Sequence, residues 1–457
     1  MARDTVDSTP IEGIQALAAT LEAGCKPADR FRIGTEHEKF GFNLSDLSPI
    51  PYEGKNGVKA VLEGMEALLG WERISDNGLI IGLADPVGGG AISIEPGGQF
   101  ELSGAPLDNL HQTCRETNSH LAQVREVAEP LGVGFLGLGM TPTWKREDVP
   151  MMPKSRYQIM TRYMPKVGSL GLDMMYRTST IQVNLDFASE ADMARKMRVG
   201  LALQPVATAI FANSPFTEGK PNGFKSFRAE IWRDTDNNRT GMLPFAFDEG
   251  FGFEAYVEWA VDVPMYFVKR GDTYFDATDV TFRQFMNGAL QGRIPDPNPT
   301  LGDWDNHLST VFPDVRLKRY IEMRGADGGP WRRICALPAL WVGLLYDEGV
   351  LDQAWQLVKD WTPEERESLR NGVPRHALHT PFRSGTVRDV AREMVALAAE
   401  GLKRRARLND AGEDERTHLA AVEETVATGM SPADQMLERY HGAWGGDVTQ
   451  VFREFAY

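Results

Sequence analysis

Two carboxylates stand in the middle of the stretch FRIGTEHEKFGF, residues 31–42, whose flanking apolar pattern is typical of a β-strand. Side chains two positions apart on a strand lie on the same face, about 6.7 Å from one another. Glu36 and Glu38 therefore share one face, and His37 points to the other. Two carboxylates at this spacing are suited to hold a divalent cation.

Three further stretches show strand patterns with polar side chains two positions apart: residues 91–103, 179–187 and 319–325. Apolar residues such as Ile92, Val183 and Met323 occupy the opposite face of each stretch. The polar faces carry Glu95, Gln99, Glu101, Gln182, Asn184, Glu322 and Arg324.

If these strands belong to one sheet, its polar face carries five carboxylates: Glu36, Glu38, Glu95, Glu101 and Glu322. Two carboxylates about 4–5 Å apart repel each other by about 3–4 kcal/mol at an effective dielectric constant of about 20. The cluster therefore predicts that cations fill it, and hard oxygen ligands suit Mg²⁺ or Mn²⁺. The alternative is an ordinary antiparallel sheet with a solvated, charged face that needs no function.

Several arginines and a tryptophan near these strands suit an anionic substrate. They are Arg177, Arg228, Trp232, Arg239 and Arg324. A guanidinium binds a carboxylate or a phosphate through two parallel hydrogen bonds. Each arginine alone is typical of a surface or salt-bridge residue, but beside a carboxylate-rich metal site some are expected to hold the substrate.

Helical and strand patterns alternate along the chain without the regular βαβ rhythm of a parallel sheet. Apolar residues recur at helical spacing within residues 11–24, 56–70 and 108–129, and residues 131–140 form a strand pattern. TPEE at 362–365 and SPAD at 431–434 are helix-start signals with proline at the first helical position. Without repeats or long linkers, the chain is expected to be a single catalytic domain over residues 1–457. Its sheet core spans about 28–330 and its mainly helical part about 331–457.

The chain has 457 residues and a formal net charge of −15 at pH 7. This acidic balance argues against nucleic acid and anionic membrane surfaces as partners. No apolar run reaches the roughly 18–20 residues of a membrane span. The N-terminal stretch MARDTVDSTPIEG lacks the apolar core of a secretion signal and is too acidic for a transit peptide. The expected location is therefore the cytoplasm.

Three short motifs resemble known sites without the context that those sites require. GVGFLG, residues 132–137, matches GxGxxG but lies within an apolar strand, so it does not predict a dinucleotide site. HEKFG begins like the zinc motif HExxH but lacks the second histidine. VGGGAIS, residues 87–93, is either a phosphate-binding turn or an ordinary glycine-rich turn.

Seven stretches together resemble the plant-type glutamate–cysteine ligases of plants and many proteobacteria. They are GTEHEKFGF, IEPGGQFELSGAP, MPKVGSLGLDMM, QVNLDF, NSPFTEGKPNGF, DTDNNRTGMLPF and EMRGADGGPWRRICALPALWVGLLYDE. The resemblance implies an α+β fold, in which an antiparallel β-sheet funnel of the glutamine synthetase-like type is surrounded by helices and followed by a helical C-terminal region. It also implies that ATP phosphorylates the γ-carboxylate of L-glutamate. The amine of L-cysteine then displaces phosphate, which gives γ-glutamylcysteine in the first step of glutathione synthesis.

The resemblance assigns roles to the residues singled out above. It implies a metal site for Mg²⁺ or Mn²⁺ at Glu36, Glu38, Glu95, Glu101 and Glu322. It implies substrate binding by Arg228, Trp232, Gln182 and Asn184, where Gln182 stands in place of another ligand of related ligases. It implies that the transferring phosphoryl group is steadied by Arg324, Arg177 and Arg239.

The three cysteines are too few for a disulfide framework, and reduced thiols are the ordinary expectation for a cytosolic protein. The resemblance implies instead that Cys114 and Cys335 pair as a disulfide, which would join a helix to the segment WRRICALPALW. The expected partners are L-glutamate, L-cysteine and ATP, and the expected state is a monomer or a homodimer.

Three other functions are compatible with the same residues. A ligase of the same fold could join glutamate to another amine. A two-metal phosphohydrolase also uses clustered carboxylates. A metal or metabolite sensor could keep the sheet without turnover.

Overall fold

The computed structural model describes residues 6–457. Residues 1–5, which begin the N-terminal stretch used above to predict the location, lie outside the described residues.

The strand patterns give one large antiparallel sheet and several short two-stranded ones. The strands are β1 (Ile33–Asn43), β2 (Glu72–Asp76), β3 (Leu79–Ala84), β4 (Ala91–Ile94), β5 (Phe100–Ser103), β6 (Val133–Leu136), β7 (Thr180–Leu185), β8 (Phe216–Thr217), β9 (Lys220–Pro221), β10 (Thr240–Gly241), β11 (Phe267–Arg270), β12 (Thr273–Asp276), β13 (Phe312–Pro313), β14 (Val315–Leu317), β15 (Ile321–Asp327), β16 (Pro381–Phe382) and β17 (Gly385–Thr386). Within residues 6–457, nine strands form the large sheet in the order β14-β15-β7-β1-β5-β4-β3-β2, and β6 pairs with the end of β1.

The long strand β1 lies at the centre of this sheet and decides what each face carries. It pairs antiparallel with β5 and β7 along its first half and with β6 along its second half. His37 lies opposite Leu102 and Ile181, so these side chains share one face, which we call the helix-covered face. Glu36 and Glu38 point to the opposite face, which we call the front face.

Helices enclose the helix-covered face and extend the fold towards the C-terminus. The helices are α1 (Ile14–Glu22), α2 (Val58–Leu69), α3 (Leu110–Ala128), α4 (Ser155–Tyr163), α5 (Gly171–Arg177), α6 (Glu190–Ile210), α7 (Phe227–Ile231), α8 (Phe253–Val261), α9 (Phe282–Met286), α10 (Leu301–Leu308), α11 (Trp331–Leu345), α12 (Glu348–Val358), α13 (Pro363–His376), α14 (Val387–Arg405), α15 (Ala420–Thr428), α16 (Pro432–His441) and α17 (Gln450–Glu454). Helix α3 packs against β1, α11 against β7 and α6 against β15. Thr362 and Ser431 are the N-cap residues of the two predicted capping boxes at the starts of α13 and α16.

The predicted strand over residues 91–103 is two strands, β4 and β5, joined by the turn Pro96-Gly97-Gly98. Gly98 adopts φ 81°, a left-handed conformation that glycine tolerates best. A Cβ at Gly97 would overlap the backbone of Tyr176. The other predicted strands correspond to β1, β7 and β15, so the prediction of an antiparallel sheet surrounded by helices is confirmed.

Across residues 6–457, no single helix is both long and apolar enough to cross a membrane. The consecutive helices α11 and α12 meet that criterion jointly, with a bend of 92° between them.

Candidate active site

The front face brings carboxylates and amides of separate strands into register. Glu38 on β1 lies opposite Glu101 on β5, and Glu36 lies opposite Gln182 on β7. Residues directly opposite on antiparallel strands have Cβ atoms about 4.5–5.5 Å apart. The alternation read from the sequence therefore places these side chains on one surface, as predicted.

Hydrogen bonds from neighbouring strands hold two of these carboxylates. The hydroxyls of Ser93 and Ser103 donate to Glu101 at 2.7 and 2.9 Å. The backbone N–H of Thr180 donates to Glu38 at 3.1 Å. The carboxylates are thus oriented by the sheet itself.

Burial and mutual repulsion disturb the ionisation of the cluster. Burial raises the pKa of Glu38 well above its ordinary value, and the charges of Glu95 and Glu101 raise it further. Burial also raises the pKa of Glu95, again with a contribution from Glu101. The pKa of Glu36 is raised by burial and then by Glu322 and Glu101. Carboxyl groups in this state are stabilised by any added positive charge.

Glu322 differs from the others because two arginines engage both of its oxygens. It is 0% exposed. Arg316 donates to the two oxygens at 2.6 and 2.9 Å, and Arg324 donates to one of them at 2.7 Å. Burial alone would raise the pKa of Glu322, but Arg316 and Arg324 outweigh burial and hold the pKa well below its usual range. Glu322 thus fixes two guanidiniums, and its role as a metal ligand stays a prediction.

The donor chemistry of the cluster fits a hard divalent cation. Within residues 6–457, no group of three or more His, Cys, Asp or Glu side chains is arranged so that it could hold a metal ion as it stands. Glu36, Glu38 and Glu95 nevertheless present half-buried carboxylates whose pKa values neighbouring carboxylates raise. Such oxygen donors suit Mg²⁺ or Mn²⁺. The fit rests on the donors and their electrostatics, and the side chains have to move towards a common ion.

A cavity opens beside the carboxylates, and we call it the front cavity. Its lining residues are Glu38, Glu95, Pro96, Gln99, Met160, Met174, Met175, Thr178, Thr180, Gln182, Arg228, Trp232, Phe312 and Arg324. Carboxylates and guanidiniums therefore share one wall, while three methionines supply a flexible apolar surface.

Two of the predicted arginines meet in this cavity. Ser226 caps α7 by accepting from the N–H of Ala229 at 3.1 Å, and this cap places Arg228 in the first turn. Arg228 is 3% exposed and donates to the carbonyl oxygen of Arg324 at 3.1 Å. Arg324 donates to Gln182 Oε1 at 2.5 Å. The observed contact of Gln182 is thus with a guanidinium.

A second cavity lies on the other side of Glu36, and we call it the glycine-loop cavity. Gly89 and Gly90 of the VGGGAIS turn line it together with Glu36 and Asn184. The side chain of Asn184 donates to Glu36 at 2.8 Å. The other residues that line the glycine-loop cavity include Lys26, Arg32, Ile74, Ala84, Pro106 and Tyr320. This cavity therefore combines a glycine-rich backbone, an apolar wall, the carboxylates Asp85 and Asp186, and two cations that are each ion-paired with an aspartate.

Arg239 has a guanidinium that is fully used inside the protein. It is 0% exposed and donates to Asp236 at 2.6 Å. It also donates to the carbonyl oxygens of Thr310 and Pro264 at 3.0 and 2.7 Å. The observed contacts of Arg239 are thus with protein oxygens, and its contact with a transferring phosphoryl group stays a prediction.

Arg177 is engaged in a similar way. It donates to Asp173 at 2.8 Å, to Glu218 at 2.9 Å and to the carbonyl oxygen of Trp144 at 3.1 Å. Its three guanidinium nitrogens are thus bound to protein oxygens. These contacts hold Arg177 within the fold, and its role at the transferring phosphoryl group stays a prediction.

Sequence reasoning missed Arg316 and Lys318, although the pattern contained a signal for them. Arg316, Lys318, Tyr320, Glu322 and Arg324 alternate without interruption across β14, its turn and β15. The strand predicted over residues 319–325 contains only the second part of this row. Lys318 is 8% exposed, and burial with nearby Arg316 lowers its pKa to about 8.

The predicted disulfide is present. Cys114 on α3 and Cys335 on α11 are bonded, with their Cα atoms 5.4 Å apart. The bond links two helices that pack on the helix-covered face. Cys25 is the free cysteine of the described chain.

Curated relatives of the chain are plant enzymes. The chain is 60% identical over 441 residues to a chloroplastic glutamate–cysteine ligase of Nicotiana tabacum, which covers 96% of this chain and 82% of the relative. It is 59% identical over 454 residues to a chloroplastic glutamate–cysteine ligase of Medicago truncatula, with 99% and 87% covered.

The names of these relatives also bear on location. They are named chloroplastic enzymes, which points to the plastid and not to the cytoplasm. The predicted cytoplasmic location is therefore wrong.

A solved structure shows the same fold. Glutamate–cysteine ligase from Francisella tularensis, in complex with AMP, matches with a TM-score of 0.55 at 14% identity and covers 93% of this chain and 89% of that one. At this identity the likeness concerns the fold alone. It confirms the predicted antiparallel sheet with surrounding helices.

The comparison with protein families covers nearly the whole chain. The model of glutamate–cysteine ligase family 2 (GCS2) matches residues 32–454, which contain the carboxylate strands, both cavities and the disulfide, with only Lys26 falling outside. The relatives above carry the activity of that family in their names. The chain therefore belongs to glutamate–cysteine ligase family 2.

Proposed function

We propose that the carboxylates of the front face would hold Mg²⁺ or Mn²⁺, which would neutralise the negative charge of ATP in its reaction with the γ-carboxylate of L-glutamate. Family membership makes the chain an ATP-dependent glutamate–cysteine ligase that catalyses the first step of glutathione synthesis. The finer proposal rests on one observation: the carboxylates of β1 separate two cavities of different chemistry. Glu38 lines the front cavity, and Glu36, two positions away on the same face, lines the glycine-loop cavity.

The metal would be held by Glu36, Glu38, Glu95 and Glu101, with Glu322 as an expected further ligand. When bound, the ion neutralises the triphosphate and polarises its phosphoryl oxygens. Without added positive charge, these carboxylates repel the anionic substrates that the reaction has to bring together.

ATP is proposed to occupy the glycine-loop cavity. The backbone of Gly89 and Gly90 suits phosphate oxygens, and Lys26 and Arg32 would contribute by exchanging their ion pairs with Asp186 and Asp108 for the phosphates. Tyr320 and the apolar wall suit a nucleoside.

L-Glutamate is proposed to occupy the front cavity. The buried guanidinium of Arg228 suits its α-carboxylate, and Trp232 lies beside Arg228 with its ring centre 5.8 Å from the guanidinium carbon. The methionine surface of Met160, Met174 and Met175 suits the side chain of L-cysteine, because methionine adapts to small apolar and sulfur-containing groups.

The reaction proceeds in two steps, a phosphoryl transfer and an acyl transfer. A γ-carboxylate oxygen of glutamate attacks the terminal phosphorus of ATP, and the bond to ADP breaks. The cysteine amine then attacks the acyl carbon, inorganic phosphate leaves with the bonding electrons, and the amine loses a proton. Arg324 is proposed to neutralise the acyl phosphate, which its place in the front cavity supports, and Gln182 and Glu322 hold its guanidinium in place.

Release of ADP with glutamate and a panel of amines tests the substrate assignment. We expect a clear preference for L-cysteine and its close analogue 2-aminobutyrate. Equal rates with unrelated amines would instead support a ligase with another acceptor. Phosphate release without any amine would favour a phosphohydrolase, and an absence of turnover would favour a sensor.

We also propose that residues 1–457 form a single catalytic domain that acts as a monomer or a homodimer. The central sheet supports the first statement, because both buried apolar clusters pack on it. Sedimentation velocity of the whole chain measures the second, and a larger assembly would contradict it.

A further inference from the structure

A third cavity lies at the disulfide, and we call it the cysteine cavity. It opens between the first turns of α3, the first turns of α11 and a short 3-10 helix, Glu415–Leu419. The residues that line it differ from those of the front cavity and of the glycine-loop cavity. Two histidines, two cysteines and two arginines are among them: His111, His418, Cys114, Cys335, Arg115 and Arg332.

The two histidines meet in this cavity although they are 307 residues apart in the chain. His418 Nε2 lies 3.1 Å from His111 Nδ1. The other ring nitrogen of His111, Nε2, lies 3.2 Å from the carbonyl oxygen of Arg407. Because a carbonyl oxygen only accepts, Nε2 of His111 carries the proton and Nδ1 presents its lone pair to the cavity. Metal-binding histidines are commonly oriented in this way, by a carbonyl that accepts from the other ring nitrogen.

His418 is half-buried and can act as a neutral ligand. Burial and then the neighbouring His111 lower the pKa of His418 to about 4. At pH 7 its ring therefore carries a single proton, which exchange with solvent can move from Nε2 to Nδ1. Both facing nitrogens then offer lone pairs to one cation.

The buried carboxylate of Glu415 fixes the position of His418. Glu415 is 0% exposed and accepts from the backbone N–H of Leu110, at the start of α3, at 2.8 Å. It also accepts from Arg405 at 2.9 Å. The 3-10 helix packs against α11 as well as α3. Rigid elements therefore hold the histidine ligands in place, as a preorganised site requires.

The two cysteines complete a metal-ligand set when their bond is reduced. Cys114 follows His111 by three positions on α3, so their side chains are neighbours on one face. The Cα atoms of Cys114 and Cys335 are 5.4 Å apart. While the bond is closed, the cavity offers two imidazoles, too few for a structural metal site. Reduction adds two thiolates, and two cysteines with two histidines are a common ligand set for Zn²⁺.

The charges that line the cavity favour this ion only in the reduced protein. Arg115 and Arg332 repel a divalent cation beside a closed disulfide. Two thiolates cancel the charge of Zn²⁺, so the complex as a whole is neutral. The arginines also favour the thiolate form of the cysteines over the thiol form.

We propose that the two histidines and two cysteines of the cysteine cavity bind one Zn²⁺ ion once the disulfide is reduced. A dithiol reductant attacks one sulfur, the bond between Cys114 and Cys335 breaks, and the reductant closes its own disulfide. The reductant is oxidised and its two protons pass to the protein sulfurs. Each protein thiol releases its proton when it binds the ion. Zn²⁺ then links α3 to α11 in place of the disulfide.

Co²⁺ titration of the whole chain tests the ligand set. Tetrahedral Co²⁺ bound to thiolates gives an intense charge-transfer band in the near ultraviolet, which oxygen ligands do not give. The Cys25→Ser background removes the remaining thiol. A trialkylphosphine reduces the disulfide, takes an oxygen atom from water to become the phosphine oxide, and avoids a dithiol that would compete for the metal. We expect the band to saturate at one Co²⁺ per reduced chain and to be absent from the oxidised chain. One equivalent of Zn²⁺, which binds more tightly than Co²⁺, should abolish it.

Variants in the same background assign the ligands. His418→Gln keeps a donor towards His111 and removes the imidazole, so we expect at least about 10-fold weaker binding of Co²⁺ in the reduced chain. Cys114→Ser opens the bond without a reductant and leaves one thiolate, so it should bind Co²⁺ at least about 10-fold more weakly than the reduced parent. His441→Gln, at an exposed histidine of α16, is the control and should leave the affinity unchanged.

Three results overturn the proposal: no thiolate band in the reduced chain, equal affinity in the oxidised and reduced chains, or unchanged affinity in His418→Gln. Circular dichroism shows whether the reduced chain keeps its fold without metal. If it does not, Zn²⁺ should restore the fold of the reduced parent and have a smaller effect on His418→Gln. Failure of Zn²⁺ to do so also overturns the proposal.

Discussion

Glu38 and Glu101 lie directly opposite each other on the neighbouring strands β1 and β5, so two carboxylates share one cross-strand position. Like charges at such a position destabilise a sheet. The fold nevertheless places Glu95 close by, and the pKa of Glu38 is raised well above its ordinary value by burial and by both neighbours. Carboxylates held together at this cost to stability suit the divalent cation proposed above.

Glu36→Gln tests the metal role, because it removes a charge with almost no change in volume. We expect kcat to fall by at least about 100-fold at ordinary Mg²⁺, the size found when a single electrostatic contact to a transition state is lost. The melting temperature should stay the same or rise, because Glu36 is repelled by Glu322 and Glu101.

Glu126→Gln, on the exposed side of α3, is the matched control and should leave both quantities unchanged. Near-normal activity of Glu36→Gln would show that Glu36 is not a metal ligand.

Glu38→Gln tests the electrostatics of the cluster through pH. A carboxyl group with a raised pKa binds more protons folded than unfolded, so its contribution to stability falls as pH rises from about 4.3 through the raised pKa. In EDTA, Glu38→Gln should therefore raise the melting temperature more at pH 8 than at pH 5. The gain should be about 1–2 °C for each kcal/mol of relieved repulsion in a chain of this length.

The comparison of the variant with the parent cancels the titration of groups elsewhere in the protein. Added Mg²⁺ should stabilise the parent at pH 8 and have a smaller effect on the variant. The same thermal shift at both pH values would contradict the raised pKa.

Glu322→Gln tests the buried ion pairs with Arg316 and Arg324. Because removal of one partner leaves buried charge unpaired, we expect a loss of about 3–5 kcal/mol in the free energy of unfolding at pH 7. The pKa of Glu322 is held low, so its contribution is present above about pH 4.3 and is lost as pH falls through the folded pKa. Urea unfolding at pH 7 and at steps down to about pH 2 measures this loss.

The control for this prediction is an arginine–glutamate ion pair at the protein surface. Arg383 donates to both oxygens of Glu365 at 2.7 and 2.8 Å, but both side chains are partly exposed. Glu365→Gln should cost less than about 1 kcal/mol. Equal losses in the two variants would show that burial of Glu322 does not matter.

Cys114→Ser tests the contribution of the disulfide, which closes a separation of 221 residues. We expect a loss of about 2–5 kcal/mol in the free energy of unfolding, because the bond restricts the unfolded chain. Cys25→Ser, at the free thiol, should have little effect. Mass mapping of unreduced peptides should show the Cys114–Cys335 bond, and finding both thiols free in the active protein would contradict it.

The face on which each side chain lies was determined by the sequence alone. Side chains alternate along a strand with a period of two, so Glu36, Glu38 and Glu101 had to share a face once their segments formed neighbouring strands. The same local rules placed the starts of α13 and α16 at Thr362 and Ser431. The long motifs likewise carried the family resemblance, which the comparisons confirm.

Only the tertiary structure decided which partners the charged groups have. Arg177, Arg239 and Arg324 look alike in the sequence, yet long-range packing encloses the first two among protein oxygens and leaves the third in the front cavity. The order of strands around β1 and the ion pair between Arg316 and Glu322 depend on contacts that the tertiary structure makes. A period along the chain cannot encode these contacts, because they arise from how whole elements pack.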